Sequence, residues 1–338
     1  MKKVSLILTL MLMFIITAAS VATAATPTTH WYRDWGTGGI DWSNKSDVKE
    51  IEDAIRWELY VGYSDGKQIH PKIPGAYYGA ALRLGDDITR GEFAVALGRC
   101  LDIGSDTNFP MGRVIPLVDQ RVITSDEADK DFSVPITRAE MAKWMGRAAI
   151  NFKADTKGFV SFADTSDSDI LAAAKTGVIR GYPDGLFHPD DNAMRAHAVL
   201  MLVRFSRQLN SDLPKDIELE NLIAETINAC NKMIKKRHET GNWDNDVMSG
   251  VATERFITNI QEGGEASGRA DIMEPNDIKL DEFKVIETHN NSAIFWYSNL
   301  IITPDNKSLP GSSYGLNYAK KINGRWVISS EIPTFQKY

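Results

Sequence analysis

Only two cysteines occur in 338 residues, so the chain cannot rest on a disulfide framework. Cys100 and Cys230 fall on apolar helical faces of different predicted domains and read as small buried hydrophobes; no bridge between them is expected. Neither has the spaced neighbours that a zinc site needs. Positive charge is in deficit too. A formal net charge of −7 argues against general affinity for nucleic acid or an anionic membrane, though not against local basic grooves. One apolar run near its start is too short for a membrane span, and no second hydrophobic stretch is long enough to cross a bilayer. It shows no nucleophile motif, glycine-rich phosphate loop or His-Glu-x-x-His helix, so no catalytic residue, metal or cofactor is assigned. A hydrophobic content of 43% is enough for real cores, and the length suits two domains.

One phrase is written three times. Ile88-Thr89-Arg90-Gly91-Glu92-Phe93-Ala94 returns as Ile136-Thr137-Arg138-Ala139-Glu140-Met141-Ala142, and again, degraded, as Ala193-Met194-Arg195-Ala196-His197-Ala198-Val199. Repetition on this scale predicts units that bury their faces against one another. Thr-x-x-Glu before an apolar run is a capping box, so Thr89 with Glu92 and Thr137 with Glu140 mark helix starts. The third copy keeps the helical pattern but lacks the box, and Asn192 is the candidate cap there. The arginines are out of place, because a helix N-terminus is partly positive. Arg90, Arg138 and Arg195 therefore need compensating partners. One reading pairs each with a carboxylate of a neighbouring unit; the other places an anionic ligand between an arginine fork and a helix N-terminus. The residues alone leave both open.

A turn recurs with the phrase. Gly181-Tyr182-Pro183-Asp184-Gly185 has proline to set φ and glycine to close, and Gly62-Tyr63-Ser64-Asp65-Gly66 is its counterpart. Gly62, Asp65, Gly181, Asp184 and Gly185 are thus the candidate turn-shaping positions, beside the caps Thr89, Glu92, Thr137 and Glu140. The middle unit has Val122-Ile123-Thr124-Ser125-Asp126 at this place and lacks the glycines.

The run from Gly181 to Pro189, the Ile-Thr-Arg-Ala-Glu phrase and the opening Phe162-Ala163-Asp164 resemble the S-layer homology (SLH) repeat family. The resemblance implies three helix-loop-helix repeats in a mainly α, pseudo-threefold unit: 25–104, 105–153 and 154–212. It further implies non-covalent binding of an anionic, often pyruvylated, secondary cell-wall polysaccharide in grooves between repeats, with Arg90, Arg138 and Arg195 as polysaccharide-binding residues. Three departures point to fewer than three competent grooves. The first unit has an insertion from Ile73 to Asp86, the second lacks the glycine turn, and the third has lost threonine and glutamate from its box.

Lys2 and Lys3 before the apolar run Val4–Ile16, followed by Ala22-Thr23-Ala24, predict a secretory signal peptide over 1–24. A bacterial cell-surface location and no membrane span after cleavage are the expectation. Residues 213–338 differ in kind. A long amphipathic helix is predicted over 216–238 and a short one over Val251–Ile260, then strands at Ile278–Glu287, Ala293–Ile302, Tyr314–Lys321 and Arg325–Ser329. Asn323-Gly324 signals a two-residue hairpin. Ala293 to Tyr297 is apolar on both faces, so that strand is predicted to be central. Helices followed by an antiparallel meander give an α+β domain, expected to fold on its own. Its element order resembles the nuclear-transport-factor-2-like (NTF2-like) cone. His238, His289, Asp244, Asp246 and Glu254 are its titratable candidates, each with a structural explanation. Trp296, Tyr297, Tyr314 and Trp326 line a pocket or fill a core. Two functions follow: a non-catalytic wall-anchored protein with a C-terminal binding domain, or a wall-anchored enzyme with a small-molecule pocket in the cone.

Overall fold

The structure is a computed structural model that describes residues 39–334 apart from 42, 64–67, 70–76, 79–80, 159, 267–276 and 303–307. The expected signal peptide and Asp65 lie outside the described residues. Helix α1 (Lys45–Arg56) starts at Asn44, whose side chain accepts from the Ser46 and Asp47 amides. The short strands β1 (Gln68–Ile69) and β2 (Tyr77–Tyr78) pair antiparallel ahead of α2 (Arg90–Leu101). Then come α3 (Met111–Asp119), α4 (Ser125–Ala128), α5 (Arg138–Asn151), α6 (Ser168–Lys175) and α7 (Arg195–Ser206). Both expected capping boxes are formed, at Thr89/Glu92 and Thr137/Glu140. A third, Thr124/Glu127, opens α4 in place of the missing glycine turn. Asn192 does not cap α7: Met194 holds that position without a side-chain bond, and the Asn192 amide instead donates to Asp87 Oδ2 at 2.7 Å.

The three phrases meet in a closed ring of backbone hydrogen bonds. The Ile88 amide donates to Ala193 O, the Ala193 amide to Ile136 O, and the Ile136 amide to Ile88 O, each at 2.9 Å. The packing has the same cyclic order, with α2 against α3, α5 against α6, and α7 against α1. Extended residues before a helix carry free amides and carbonyls, and the ring satisfies these at the centre of the bundle. Apolar residues of all three units, among them Phe93, Trp144 and Leu202, share one core.

The second half begins with α8 (Asp216–Thr240), closed by Gly241 in the left-handed conformation, as helix ends commonly are. A 3-10 turn (Asn245–Met248) and α9 (Glu254–Ala266) follow. Strands β3 (Asp277–Thr288), β4 (Ser292–Ile302), β5 (Ser308–Ile322) and β6 (Arg325–Thr334) form an antiparallel meander in chain order. Asn323 and Gly324 both take positive φ, the requirement of the tight hairpin that joins β5 to β6.

Strand β4 is buried on both faces, as its composition predicts. Ala293, Phe295 and Tyr297 join Trp326 and the apolar stripe of α8 in a second core. The opposite face does not look to solvent. Ile294 and Tyr318 belong to the helical core of the first half. So residues 213–338 hold a core of their own under α8, but their second face is completed by the preceding residues. Polar contacts follow the same seam. Trp57 Nε1 donates to Ala293 O at 3.1 Å, and the Asp102 carboxylate accepts from the Asn323 and Gly324 amides at 2.8 and 2.6 Å. Asp53, 1% exposed, accepts from Arg207 at 2.6 Å and from the Tyr318 hydroxyl at 2.9 Å.

Candidate functional site

Each phrase arginine leans across to the next unit. Arg90, at the start of α2, forms a bidentate pair with Glu140 of the second unit (closest approach 2.9 Å) and donates to Asp131 O. Arg195, at the start of α7, pairs with Asp86 at 3.1 Å and Glu92 at 3.2 Å in the first unit, and stacks on Tyr63. For these two the carboxylate reading describes the contacts. Both glutamates therefore serve twice, as box residue and as ion-pair partner. Burial raises the Glu140 carboxyl, but Lys130, Arg90 and the Thr137 amide together outweigh it and hold the group below its ordinary value. Burial likewise raises Glu92 and is outweighed by the Thr89 amide, the Tyr63 hydroxyl and Arg195.

Arg138 is different. By the same cyclic rule its partner is the box position of the third unit, which is His197. No carboxylate among the described residues comes within ion-pairing distance of it. Its Nε donates to Phe187 O at 2.9 Å, and the guanidinium lies over the rings of Tyr182 (4.6 Å) and Phe187 (4.9 Å). The residue is only 3% exposed. Burial pushes its pKa down, more than Tyr182, Asp191 and Asp164 push it up. That is the signature of a cation short of negative charge. Burial first, then Arg138 and Arg204, push the His197 pKa below its ordinary value, and an imidazole, neutral or protonated, supplies no compensating negative charge.

The Tyr182 ring is set by its turn. Gly185 takes φ +82, the Gly185 amide donates back to Tyr182 O at 2.9 Å, and the Tyr182 amide to Leu186 O at 2.8 Å. Gly181 is needed for space: a Cβ there would meet Leu186 O at 2.8 Å and the Phe162 ring at 2.9 Å. Asp184 accepts from the Leu186 amide at 2.9 Å and pairs with His188 at 2.7 Å. Asp164 of the opening phrase closes the loop by accepting the Phe187 and His188 amides. In the first unit Gly62 also has positive φ, +69, and Tyr63 takes the place that Tyr182 has in the third. The Tyr63 hydroxyl, however, is bonded to Glu92, which also holds Arg195.

The helix-terminus half of the anion reading is corrected. The first amides of α5 already have acceptors: Arg138 N on Asp191 O at 2.8 Å, Ala139 N on Pro189 O at 2.9 Å, and Glu140 N on Thr137 Oγ1 at 3.2 Å. The corresponding amides of α2 are occupied in the same way. Any anion here meets the side chain, not the helix end.

Beside this seam lies a groove of about 580 Å³ between α7 and α1, lined by His197, Met194, Arg180, Asn44 and Arg204 among others. Arg180 is exposed, whereas Arg204 is held by Asp47 and Glu50. Arg204 belongs to a second set that the sequence reading missed. Arg99, Arg147 and Arg204 each follow the phrase arginine at the same interval, and each reaches carboxylates at the seam with the next unit: Asp106, Asp169 and Asp47. The repeated interval was the available signal.

In the second half the titratable candidates have structural partners or lie open. Asp244 caps the 3-10 turn and pairs with Lys236. His289, in the β3–β4 turn, contacts Asn210 and Glu287. His238 and Glu254 are exposed. Trp296, Tyr297 and Trp326 are buried, and the Tyr314 side chain lies outside the described residues. Both cysteines are free; burial pushes the Cys100 thiol up to about 12. Among the described residues no cluster of His, Cys, Asp and Glu is arranged to hold a metal ion, and no helix is long and apolar enough to cross a membrane.

Residues 162–199 match the family model of the S-layer homology domain. The matched segment contains Tyr182 and Phe187, whose rings lie under Arg138, and His197, the box position of the same unit. No curated protein is detectably similar to the chain.

Proposed function

We propose that the chain is an exported bacterial surface protein, held non-covalently on the cell wall by three SLH units arranged about a pseudo-threefold axis. Its ligand is an anionic secondary wall polysaccharide, of the kind whose sugars carry pyruvyl carboxylates. Arg138 carries the reading. It is the one phrase arginine left without a carboxylate among the described residues, it is desolvated, and an aromatic ring from the glycine turn lies against it. A ligand carboxylate replaces the missing glutamate of the third unit, and Tyr182, 36% exposed, offers a face to a sugar. Arg90 and Arg195 are already neutralised by protein carboxylates, so their seams have less to gain from an anion. The C-terminal domain is taken as a non-catalytic binding or interaction module of NTF2-like type. The apolar filling under α8 by Phe295, Tyr297 and Trp326 supports this over a catalytic cone.

The test is a binding isotherm of the chain on purified wall polysaccharide. Arg138→Ala is expected to weaken binding by about 1.5–3 kcal/mol, the range of a charge-assisted contact. Arg195→Ala is expected to lower thermal stability instead, because it leaves Glu92 half-buried and unpaired. Equal or greater loss of binding in Arg195→Ala removes the basis of the assignment.

A further inference from the structure

A second charged site lies away from the phrase arginines, where the β5–β6 hairpin meets the loop between α2 and α3. A pocket of about 210 Å³ opens there, with Glu58, Arg99, Asp102, Asp106, Arg113 and Lys320 in its wall. Lys320 lies on the face of β5 that carries Tyr318, two residues earlier, so its side chain enters the seam between the two halves. It is 6% exposed, and no carboxylate or carbonyl among the described residues lies within bonding distance of its ammonium. The neighbouring carboxylates are engaged elsewhere. Asp106 is shared by Arg99 and Arg113, at 2.7 and 2.9 Å. Asp102 accepts the two hairpin amides. Glu58 accepts from the Thr253 hydroxyl at 2.7 Å. The other lining lysine, Lys321, is committed to Asp212 and the Trp326 ring.

An ammonium at the head of so buried a side chain, open only to the pocket and without a partner among the described residues, has lost much of its hydration, and an anion compensates for that. Arg99, Arg113 and Lys320 face Glu58, Asp102 and Asp106 in the same wall, and among these cations only Lys320 has no hydrogen-bonded or ion-paired partner of its own among the described residues. Burial pushes the Lys320 pKa down, and Arg99 and Arg113 add to this against Glu58 and Asp106. We propose that this pocket binds a small organic anion, with the Lys320 ammonium as the anchor for its carboxylate or phosphate head. The space exceeds what a bare oxyanion fills, and Val61 and Ile322 supply apolar wall for a short body. A ligand here touches both halves at once and so ties the hairpin to the helical bundle.

The test uses the full chain and thermal denaturation in rising inorganic phosphate, glucuronate and glucose. A ligand that binds only the folded state raises the melting temperature in a saturable way. Glucuronate, phosphate or both are expected to do so, and neutral glucose is not. Which of the two acts identifies the head group as carboxylate or phosphate. Lys320→Met keeps the apolar stem and removes the charge. It is expected to melt no lower than wild type without ligand and to bind the active probe roughly tenfold more weakly or worse. Asn323→Asp, at the exposed rim, adds a negative charge without disturbing the core and should weaken the same probe. Arg138→Ala should leave the response intact, which separates this site from the wall-binding seam. No saturable shift with either anion, or a full shift retained in Lys320→Met, overturns the proposal.

Discussion

If the absence of a carboxylate makes Arg138 available, supplying one should close the site. His197→Glu does this with a single change, because 197 is the position from which Glu140 and Glu92 hold Arg90 and Arg195, at 2.9 and 3.2 Å. The introduced carboxylate competes with the ligand for the same guanidinium. The loss of one charge-assisted contact is worth about 1.5–3 kcal/mol, or roughly a tenfold to hundredfold rise in Kd. Folding should not suffer. A glutamate in the first turn of a helix contributes about 0.3–1 kcal/mol through the helix dipole, and the new pair relieves a desolvated cation. The melting temperature is therefore expected to stay level or rise while binding falls, a combination that general damage does not produce. His197→Gln separates charge from shape: it is neutral like the native histidine and should bind nearly as well as wild type. Calorimetric titration of wall polysaccharide and a thermal melt on the same samples give both readouts. Wild-type affinity in His197→Glu, or equal weakening in His197→Gln, would refute the reasoning.

Three further outcomes are expected. The Glu287 carboxyl, raised by burial but held at about 2 by His289 and Arg207 against an ordinary value of 4.5, has its folded pKa below its unfolded one. Its stabilisation is therefore complete above about pH 4.5 and is lost as pH falls toward about 2; urea midpoints across that window should drop in wild type and drop less steeply in Glu287→Gln, where the remaining slope belongs to carboxylates such as Glu92 and Glu140. Gly146→Ala places a Cβ 1.8 Å from Asp169 O at the α5–α6 crossing, and a backbone obstruction should cost at least about 1–3 kcal/mol by chemical denaturation; a neutral change would mean the two helices are free to separate. The fragment 213–338, deprived of the cover over Ile294 and Tyr318, should melt lower than the full chain and bind a hydrophobic dye. An unshifted melt would show that the shared face adds little stability.

What the sequence determined by itself was local. The boxes at Thr89 and Thr137 and the Asn323-Gly324 hairpin are legible because their chemistry lies within a few residues of chain. The apolar run Ala293–Tyr297 announced a strand covered on both faces, since alternation fails only where neither side meets water. It did not name the second cover, because Trp57 stands 236 residues away in sequence and meets the strand, with the rest of the helical core, only once the chain is folded. The arginines show the same division. Their repetition was visible in the sequence, but their partners were not, because each partner belongs to the next unit and becomes a neighbour only when the ring closes. His197 read as a decayed capping box; the fold makes it the vacancy beside Arg138. Lys320 stood in an ordinary strand pattern and gave no sign of itself. Only the docking of β5 onto the α2–α3 loop covered its side chain and left its charge facing a pocket, without a partner among the described residues.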